Sequence, residues 1–206
     1  GGTTTTFDFN SGLQGWTTGG FAQTSSSWST SATLFNLQSF GNSGNSLGTP
    51  NTGDLGAENS YVQSPSLVFE SSVTLTFDSW SNNESADYDY EHIEYSDDNG
   101  VTWISLNGTL GIELLSNDAT WRSYSITFNP TPTSTGKIRF RYDTSDDCCG
   151  GTGTNNGWYV DNVSVTSANS PSYAWTPSAT LSCNTCLTPT ASTTTTTMYT
   201  ITATSP

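Results

Sequence analysis

The side chains that could do chemistry in this sequence are carboxylates and cysteines, because the chain has eighteen Asp and Glu, four Cys and a single His. The densest acidic stretch lies between Trp80 and Trp103 and includes Glu84, Asp87 and Asp89. Carboxylate oxygens are ligands that Ca²⁺ prefers, and two carboxyl groups on either side of a sugar bond are the catalytic unit of most glycosidases. These residues therefore indicate either a cation site or a hydrolase site.

Catalysis finds little support in the sequence. The candidate glycosidase pairs are Asp87 with Asp89, or Glu91 with Glu94, but residues two apart on a strand, such as Asp87 and Asp89, share a face without forming a cleft. The chain has no G-x-S-x-G, no H-E-x-x-H and no Cys/His arrangement, and its one histidine leaves acid–base work to carboxylates. We therefore predict that the protein is not an enzyme.

The cysteines form two close pairs. Cys148 and Cys149 are adjacent, so they form a strained vicinal disulfide, link to another loop or stay reduced. Cys183 and Cys186 have the C-x-x-C spacing, which occurs in redox dithiols, in zinc sites and in local disulfides. Because zinc needs two more close ligands and the redox role needs a helix N-terminus, a local structural disulfide is the favoured interpretation.

Composition restricts the partners of this chain. Four Lys and Arg against eighteen Asp and Glu give a formal net charge of -14, whereas nucleic acid binding requires cations that replace the counterions of phosphates. The sequence has no obvious transmembrane run and is rich in Thr, Ser, Asn and Gly. We predict an extracellular protein with no nucleic acid partner and no membrane insertion.

The acidic stretch is predicted to contain a hairpin. Tyr88 to Tyr95 has the pattern of a strand, the segment from Asp97 to Gly100 is a turn, and a second strand is expected to start at Val101. The turn is indicated by Asn-Gly, since both residues accept the positive φ of a tight turn. The loop before this hairpin therefore concentrates negative charge.

Alternating apolar residues predict strands along the rest of the chain, and no sustained helical stripe occurs. Ser72 to Trp80 alternates most clearly, with Val73, Leu75 and Phe77 on one face, and should bury that face only. The predicted fold class is all-β, an antiparallel jelly-roll β-sandwich with a small C-terminal β appendage. Further strands are expected in the ranges 3–10, 61–67, 121–128, 137–142 and 157–165.

The composition changes after Ala168. The next residues, Asn169-Ser170-Pro171, have the character of a linker, and the following segment has its own Trp175, a cysteine pair and a run of threonines. We predict a β-sandwich domain at residues 1–168 and a partial Ig- or PKD-like β segment at 169–206.

Ordered blocks of sequence carry a family resemblance. They are Phe7-Asp8-Phe9 with Gly15-Trp16, Tyr61–Pro65, Leu75–Asp78, Tyr88–Tyr90, Ser96–Trp103, Arg139–Tyr142 and Gly157–Val163. Through these blocks residues 1–168 resemble the MAM-like jelly-roll domains beside secreted bacterial metallopeptidases of the immune inhibitor A type, and the cleaved-adhesin domains of gingipains. The resemblance implies the fold, but not one function, because this fold serves adhesion, glycan binding and spacing.

The C-terminal segment has a resemblance of its own. Tyr173-Ala174-Trp175, the Cys183–Cys186 pair and Tyr199–Ala203 are similar to the second half of PKD- or Ig-like repeats in gliding-motility-associated surface proteins exported by type IX secretion. This implies a large bacterial surface or secreted protein. Its partners would be neighbouring domains of the same chain or like subunits.

The resemblance to MAM-type jelly rolls also implies a structural Ca²⁺ near Asp8 of the first strand and Asp161 of the last. Asp54 and Glu58 are the loop residues that could complete the about six to eight oxygen ligands of Ca²⁺. Asp89 is a candidate for a second cation site. The alternative is that all five are solvated carboxylates of a very acidic chain.

The predicted function is a non-catalytic module that acts in adhesion or as a spacer unit in a filament. The alternative is a carbohydrate-binding accessory domain of a secreted hydrolase, with surface glycans as ligands. Sugar rings stack on exposed aromatic side chains, although most aromatic residues belong in the core. The candidates for stacking are Trp28, Tyr88, Tyr90 and Trp158.

Overall fold

The computed structural model describes residues 2–21, 28–31, 45–49, 59–83, 89–110, 118–144, 157–169 and 171–204. Within these ranges the chain forms fourteen strands and one helical turn, α1 at Asn107–Leu110. The strands are β1 Thr3–Phe7, β2 Thr17–Gly20, β3 Ser29–Ser31, β4 Ser46–Thr49, β5 Asn59–Gln63, β6 Leu67–Phe69, β7 Ser72–Asn82, β8 Asp89–Ser96, β9 Ile104–Ser105, β10 Arg122–Phe128, β11 Thr133–Thr144, β12 Gly157–Ala168, β13 Ser172–Thr176 and β14 Thr200–Thr204.

The strands form two six-stranded sheets and one small sheet, and every pairing is antiparallel. The first sheet has the order β10-β7-β12-β4-β3, with β1 also paired to β12. The second has the order β2-β5-β11-β8-β9, with β6 also paired to β11. The small sheet is β13 with β14. The predicted antiparallel β-sandwich with a C-terminal β appendage is confirmed.

Aromatic rings from both sheets meet in the core around Phe140 of β11. The ring of Phe77 from β7 lies 5.3 Å from it, and the rings of Trp16 and Trp158 each lie 5.7 Å away. Edge-to-face and stacked pairs of this kind add about 0.5–1.5 kcal/mol each beyond the area they bury. These contacts join the two sheets and hold the central strand β11 in position.

Strand β7 differs from its prediction at one end. Val73, Leu75 and Phe77 face the core as expected, but Asp78 and Trp80 on the opposite face are buried as well. The Trp80 ring packs edge-to-face on Tyr159 of the neighbouring strand at 5.5 Å. Neighbouring side chains therefore cover the end of this strand on both faces, which the alternation alone does not reveal.

The predicted hairpin is present, with a wider connection than expected. Asn99 and Gly100 have φ values of 63° and 85°, as the turn requires. However, β9 begins at Ile104 rather than at Val101. A carboxylate oxygen of Asp98 accepts hydrogen bonds from the backbone N–H of Val101 at 3.1 Å and of Thr102 at 2.9 Å. These two donors are therefore not used in the strand ladder.

The predicted division of the chain falls between two strands of different sheets. Strand β12 of the first sheet ends at Ala168, and β13 of the small sheet begins at Ser172. The domain boundary at residues 168 and 169 stays a prediction.

Candidate functional site

The outer face of the second sheet holds most of the positive charge of the chain. The alternation of β11 turns Ile138, Phe140 and Tyr142 into the core. The residues between them, Arg139 and Arg141, therefore face outward, as does Lys137. Three of the four Lys and Arg residues of this chain of net charge -14 are thus on one face of one strand.

Arg139 is held between aromatic rings. Its guanidinium carbon lies 4.0 Å from the centre of the Trp103 ring, 5.3 Å from that of Tyr61 and 5.4 Å from that of Phe21. Its Nε donates to Glu94 Oε2 at 2.6 Å. A planar guanidinium can stack on rings and bind a carboxylate at the same time. We call the surface formed by Phe21, Tyr61, Tyr90, Trp103, Arg139 and Arg141 the aromatic–arginine face.

Arg141 continues the cluster on the next outward position of β11. Its guanidinium donates to Asp143 Oδ2 at 2.9 Å and to Asn59 Oδ1 at 3.3 Å, and its Nε lies 3.6 Å from Glu94 Oε1. The Asn59 amide also donates to Asp143 Oδ2 at 3.1 Å. Charge-assisted hydrogen bonds of this kind fix the geometry of the side chains as well as their charge balance.

The single histidine lies on the same face, in β8. His92 is opposite Arg141 in the register, and its ring stacks on that of Tyr90 with 6.1 Å between the centres. Burial lowers the pKa of His92, and the nearby positive charge of Arg141 lowers it further. The imidazole is therefore neutral at pH 7.

The turn before β9 positions Trp103. Its indole Nε1 donates to the carbonyl of Gly100 at 3.1 Å. The Asp98 carboxylate organises this turn, and hydrogen bonds from Thr102 first, and then from Ser96 and Val101, lower the pKa of Asp98 to about 2. The turn therefore stays charged and ordered through the neutral pH range, and it holds the ring against Arg139.

Of the predicted calcium ligands, Asp8 directly follows the end of β1, and Asp161 is in the neighbouring strand β12. Phe7 of β1 is opposite Val163 of β12, so the antiparallel register brings Asp8 next to Asn162. Asp8 is exposed, and its Oδ1 accepts from Gln14 Nε2 at 2.6 Å. That hydrogen bond is the largest reason why the pKa of Asp8 is lowered.

Asp161 is buried, and it lies opposite a second buried carboxylate. Its side chain is 2% exposed, and its register partner Asp78 is 7% exposed. The pairing of the two strands shifts just after Asp161, where Asn162 has a φ of 50°. Asp78 accepts from Ser123 Oγ at 2.6 Å and from Asn162 Nδ2 at 2.8 Å. Asp78 was not selected as a candidate ligand from the sequence, because only the strand register makes it the partner of Asp161.

Asp89, the candidate for a second cation site, lies in a strand and not in an exposed loop. It is the first residue of β8 and is buried on the inward side, which it shares with Glu91. Glu91 Oε1 accepts from the Asn83 amide at 2.7 Å, and Asn83 Oδ1 accepts from the Tyr142 hydroxyl at 3.0 Å. The polar groups at this end of the core are therefore linked by hydrogen bonds.

Two of the predicted stacking residues belong to the core, which corrects their assignment. Trp28 is 4% exposed and Trp158 is 0% exposed, and their rings pack edge-to-face at 5.4 Å. The Trp158 Nε1 donates to Ser79 Oγ at 2.8 Å inside the sandwich. A ring surrounded in this way has no face that a sugar could reach. Tyr90, by contrast, is half-buried on the aromatic–arginine face.

Several predicted residues lie outside the described residues. They are the candidate ligands Asp54 and Glu58, the candidate stacking residue Tyr88, and the cysteine pair Cys148 and Cys149. Their predicted roles stay predictions.

Sequence reasoning missed Phe21, Tyr61 and Trp103, which come from three separate segments and meet only around Arg139. One signal was available. Three cations at alternate positions of one predicted strand, in a chain this acidic, indicate a charged outward face.

Among the described residues, no helix has the length and apolar character needed to cross a membrane. The same part of the chain contains no group of three or more His, Cys, Asp or Glu residues arranged to hold a metal ion. A calcium ion at Asp8 and Asp161 would therefore need further oxygen ligands, such as backbone carbonyls.

Several solved structures are similar to this chain. The K1 cleaved adhesin domain of Lys-gingipain from Porphyromonas gingivalis is 17% identical with a TM-score of 0.52, covering 80% of this chain and 98% of that domain. The K3 domain of the same protein is 18% identical with a TM-score of 0.49, with the same coverage. The CBM22-1 xylan-binding domain of Paenibacillus barcinonensis is 15% identical with a TM-score of 0.47, covering 78% of this chain and 91% of that one.

These likenesses concern the fold alone. The predicted cleaved-adhesin-like sandwich is confirmed by the K1 domain, while the MAM, PKD- or Ig-like and type IX features stay predictions. No protein-family model matches the chain, and no curated protein matches it.

Proposed function

We propose that this protein is a non-catalytic binding module of a large exported bacterial protein, that it acts in adhesion at the cell surface, and that it binds its ligand with the aromatic–arginine face. The observation that carries the proposal is the packing of the Arg139 guanidinium against Trp103, Tyr61 and Phe21. It places several rings in fixed positions on the outer face of one sheet, where Phe21 is exposed and Tyr61 and Trp103 are half-buried.

A rigid aromatic face is suited to binding. Phe21 is 41% exposed although its ring contacts Tyr61 at 5.4 Å, so it presents apolar surface to the solvent. Aromatic and arginine side chains dominate binding energy in interfaces, and ordering them in advance lowers the entropy lost on binding. Lys137 adds a half-buried cation near the edge of this face, and it makes no ion pair with the described residues.

The arrangement of the carboxylates supports a role without catalysis. Glu91 faces the core and accepts a hydrogen bond from Asn83, whereas Glu94 faces outward and pairs with Arg139. Two carboxyl groups on opposite faces of a sheet cannot flank one glycosidic bond. The neutral His92 stacks on Tyr90 and lies opposite an arginine.

A second candidate function is a carbohydrate-binding accessory domain of a secreted hydrolase. Half-buried amides lie beside the rings, since Asn59 and Gln63 flank Tyr61 on the outward side of β5. Rings that stack on a sugar together with amides that hydrogen-bond its hydroxyl groups are a suitable combination for a glycan.

Binding tests can separate the two candidates. The labelled protein would be applied to a glycan array and to immobilised cell-surface proteins, and retention on the glycans would favour the second candidate. Replacing Phe21 and Tyr90 by alanine together should weaken binding about tenfold or more, because a tenfold change requires only about 1.4 kcal/mol. Met198→Ala is the control, since this apolar side chain is 86% exposed and lies outside the face. Unchanged binding of the double variant, or no retention on either surface, would contradict the proposal.

We also propose a structural Ca²⁺ held by Asp8 and Asp161. The buried Asp161 beside the buried Asp78 supports it, because two neighbouring carboxylates that are removed from water are stabilised by a cation. Asp54, Glu58 and, at a second site, Asp89 are further proposed ligands. The ion would fasten β1 to β12 at the end of the first sheet.

Thermal unfolding tests the calcium proposal. A ligand that binds only the folded state raises the melting temperature, by an amount that grows with its concentration. Addition of Ca²⁺ after EDTA should raise the melting temperature of the wild type, and Asp161→Asn should abolish the increase. Asp118→Asn is the matched control, since this aspartate is exposed and pairs with Arg122. A melting temperature of the wild type that does not respond to Ca²⁺ would disprove the site.

A further inference from the structure

The C-x-x-C pair in the small sheet lies in a well-defined loop. Between β13 and β14, Leu181 forms a bridge with Ala191, and Ser182 N–H donates to Thr190 O at 2.9 Å. The segment with Cys183 and Cys186 follows directly, so it is the tip of a small hairpin. Backbone hydrogen bonds therefore restrict the loop from both ends.

Trp175 of β13 ties this tip to the sheet. Its backbone N–H donates to Asn184 O at 2.9 Å, and its indole Nε1 donates to Cys186 O at 3.0 Å. Both bonds are made to the short segment between and including the two cysteines. The loop geometry is therefore set by contacts outside the cysteine side chains, so it does not require a disulfide.

The loop surrounds the sulfur of Cys183 with hydrogen-bond donors. The backbone N–H of Cys186 donates to Cys183 Sγ at 2.9 Å, and the Thr185 hydroxyl lies 3.7 Å from the same sulfur. The Cys186 thiol contacts the carbonyl oxygen of Cys183 at 3.7 Å and also donates toward the Cys183 sulfur. The two thiols are not bonded to each other, and both are half-buried. Donors stabilise a thiolate at Cys183, while an acceptor favours the protonated thiol at Cys186.

The acidities of the two thiols follow this asymmetry. A hydrogen bond from the Cys186 thiol, with help from the backbone of Thr185, lowers the pKa of Cys183 to about 7, and the same contact raises the pKa of Cys186. A thiol attacks disulfides best when its pKa is near the ambient pH. From the sequence, a redox role was expected to need a helix N-terminus to stabilise the thiolate. In this loop, hydrogen bonds stabilise the Cys183 thiolate instead.

We propose that Cys183 and Cys186 form a thiol–disulfide exchange site, in which Cys183 is the attacking sulfur, Cys186 is the resolving sulfur, and the substrate is an accessible disulfide. In the first step the Cys183 thiolate attacks one sulfur of the substrate R–S–S–R. The substrate S–S bond breaks, a Cys183–S–S–R bond forms and R–S⁻ leaves. In the second step Cys186 loses its proton and attacks the Cys183 sulfur, which releases the second R–S⁻ and forms the Cys183–Cys186 disulfide.

The electrons and protons balance in this sequence. The substrate disulfide is the oxidant and gains two electrons, and the two cysteines lose two. The proton of Cys186 passes to one leaving thiolate, and the other takes a proton from solvent at neutral pH. The site thus differs from the predicted structural disulfide, because its bond is made and broken by exchange.

The experiment uses the full chain, reduced and freed of reductant. Glutathione disulfide serves as the small disulfide substrate, and insulin serves as the protein disulfide substrate. Mass spectrometry of chymotryptic peptides distinguishes the state of Cys183 and Cys186 from that of Cys148 and Cys149. The wild type should form the Cys183–Cys186 disulfide, with a rate that is half-maximal near pH 7. Cys186→Ser should stop at a mixed disulfide on Cys183. Reaction with glutathione disulfide but not with insulin would assign the site to small disulfides.

The matched variant is Cys183→Ser, which should react at least about tenfold more slowly at pH 7, since its remaining thiol has a raised pKa. Equal rates for Cys183→Ser and Cys186→Ser would overturn the assignment of roles. A pair that stays oxidised in excess reduced glutathione, or a rate that rises only near pH 9, would overturn the exchange site itself. Circular dichroism of each variant shows that the sheet is intact.

Discussion

Replacing Arg139 by methionine tests whether the cluster around this side chain is the framework of the aromatic–arginine face. The change removes the ion pair with Glu94 at 2.6 Å and the stacking on Trp103 at 4.0 Å, while it keeps an apolar side chain of considerable length. The side chains of Arg139 and Glu94 are only 8% and 10% exposed, so solvent cannot replace the lost partner.

The expected loss of stability is considerable. Removing one partner of a buried ion pair costs about 3–5 kcal/mol, and a cation–π contact contributes about 0.5–2 kcal/mol. Arg141 offsets part of this, because its Nε remains 3.6 Å from Glu94. We therefore expect a loss of about 3 kcal/mol. At about 2–4 °C per kcal/mol for a chain of this size, the melting temperature should fall by about 6–12 °C.

Urea unfolding followed by tryptophan fluorescence measures this loss. The matched control is Arg122→Met, which breaks an ion pair with Asp118 whose side chains are 47% and 44% exposed, and its midpoint should not change. Equal midpoints for Arg139→Met and Arg122→Met would refute the reasoning that burial makes the Arg139 pair important.

A double variant identifies the source of the loss. If the uncompensated Glu94 carboxylate is responsible, Arg139→Met combined with Glu94→Met should recover at least half of the lost stability, because apolar replacement of a whole buried pair is often neutral. A double variant less stable than Arg139→Met alone would show that ring stacking, and not the carboxylate, dominates.

Three further predictions concern single residues. Because burial lowers the pKa of His92, the unfolded state binds more protons than the folded state below about pH 6.5. The stability of the wild type should therefore fall as the pH decreases from that value. Between pH 7.5 and pH 5, the urea midpoint of His92→Gln should fall less than that of the wild type. Gly100→Ala, at a φ of 85°, should cost about 1 kcal/mol in urea unfolding, whereas Gly108→Ala, which meets open space, should not destabilise. Trp158→Phe removes the donor to the buried Ser79 and should cost about 1–3 kcal/mol by the same assay.

Local patterns in the sequence were sufficient for several of the long strands. Val73, Leu75 and Phe77 alternate with polar residues, and a strand turns alternate side chains to opposite faces, so both the strand and its core face could be predicted. The turn at Asn99 and Gly100 was predicted for a similar reason, since its positive φ values depend on residue type. The start of β9 could not be read in this way, because it depends on which N–H groups the Asp98 carboxylate occupies.

The candidate site depended on information that is not local. Tyr90 could be selected as a surface residue from the sequence. Trp28 and Trp158 could not be distinguished from exposed stacking tryptophans in this way, because only their position between the sheets shows that they belong to the core. Likewise, Asp161 was found through the family resemblance, while its buried neighbour Asp78 follows from the register of β7 and β12.

The sequence by itself thus determined most of the long strands, the all-β class and the excess of negative charge, because alternation, turn residues and composition are properties of short segments or of the whole chain. The tertiary structure decided that Phe21, Tyr61 and Trp103 surround Arg139, since these residues come from β2, β5 and β9 or their ends and meet only when the strands pair. It also decided that the backbone of Cys186 points at the Cys183 sulfur, because the conformation of that loop is fixed by Trp175 on a separate strand.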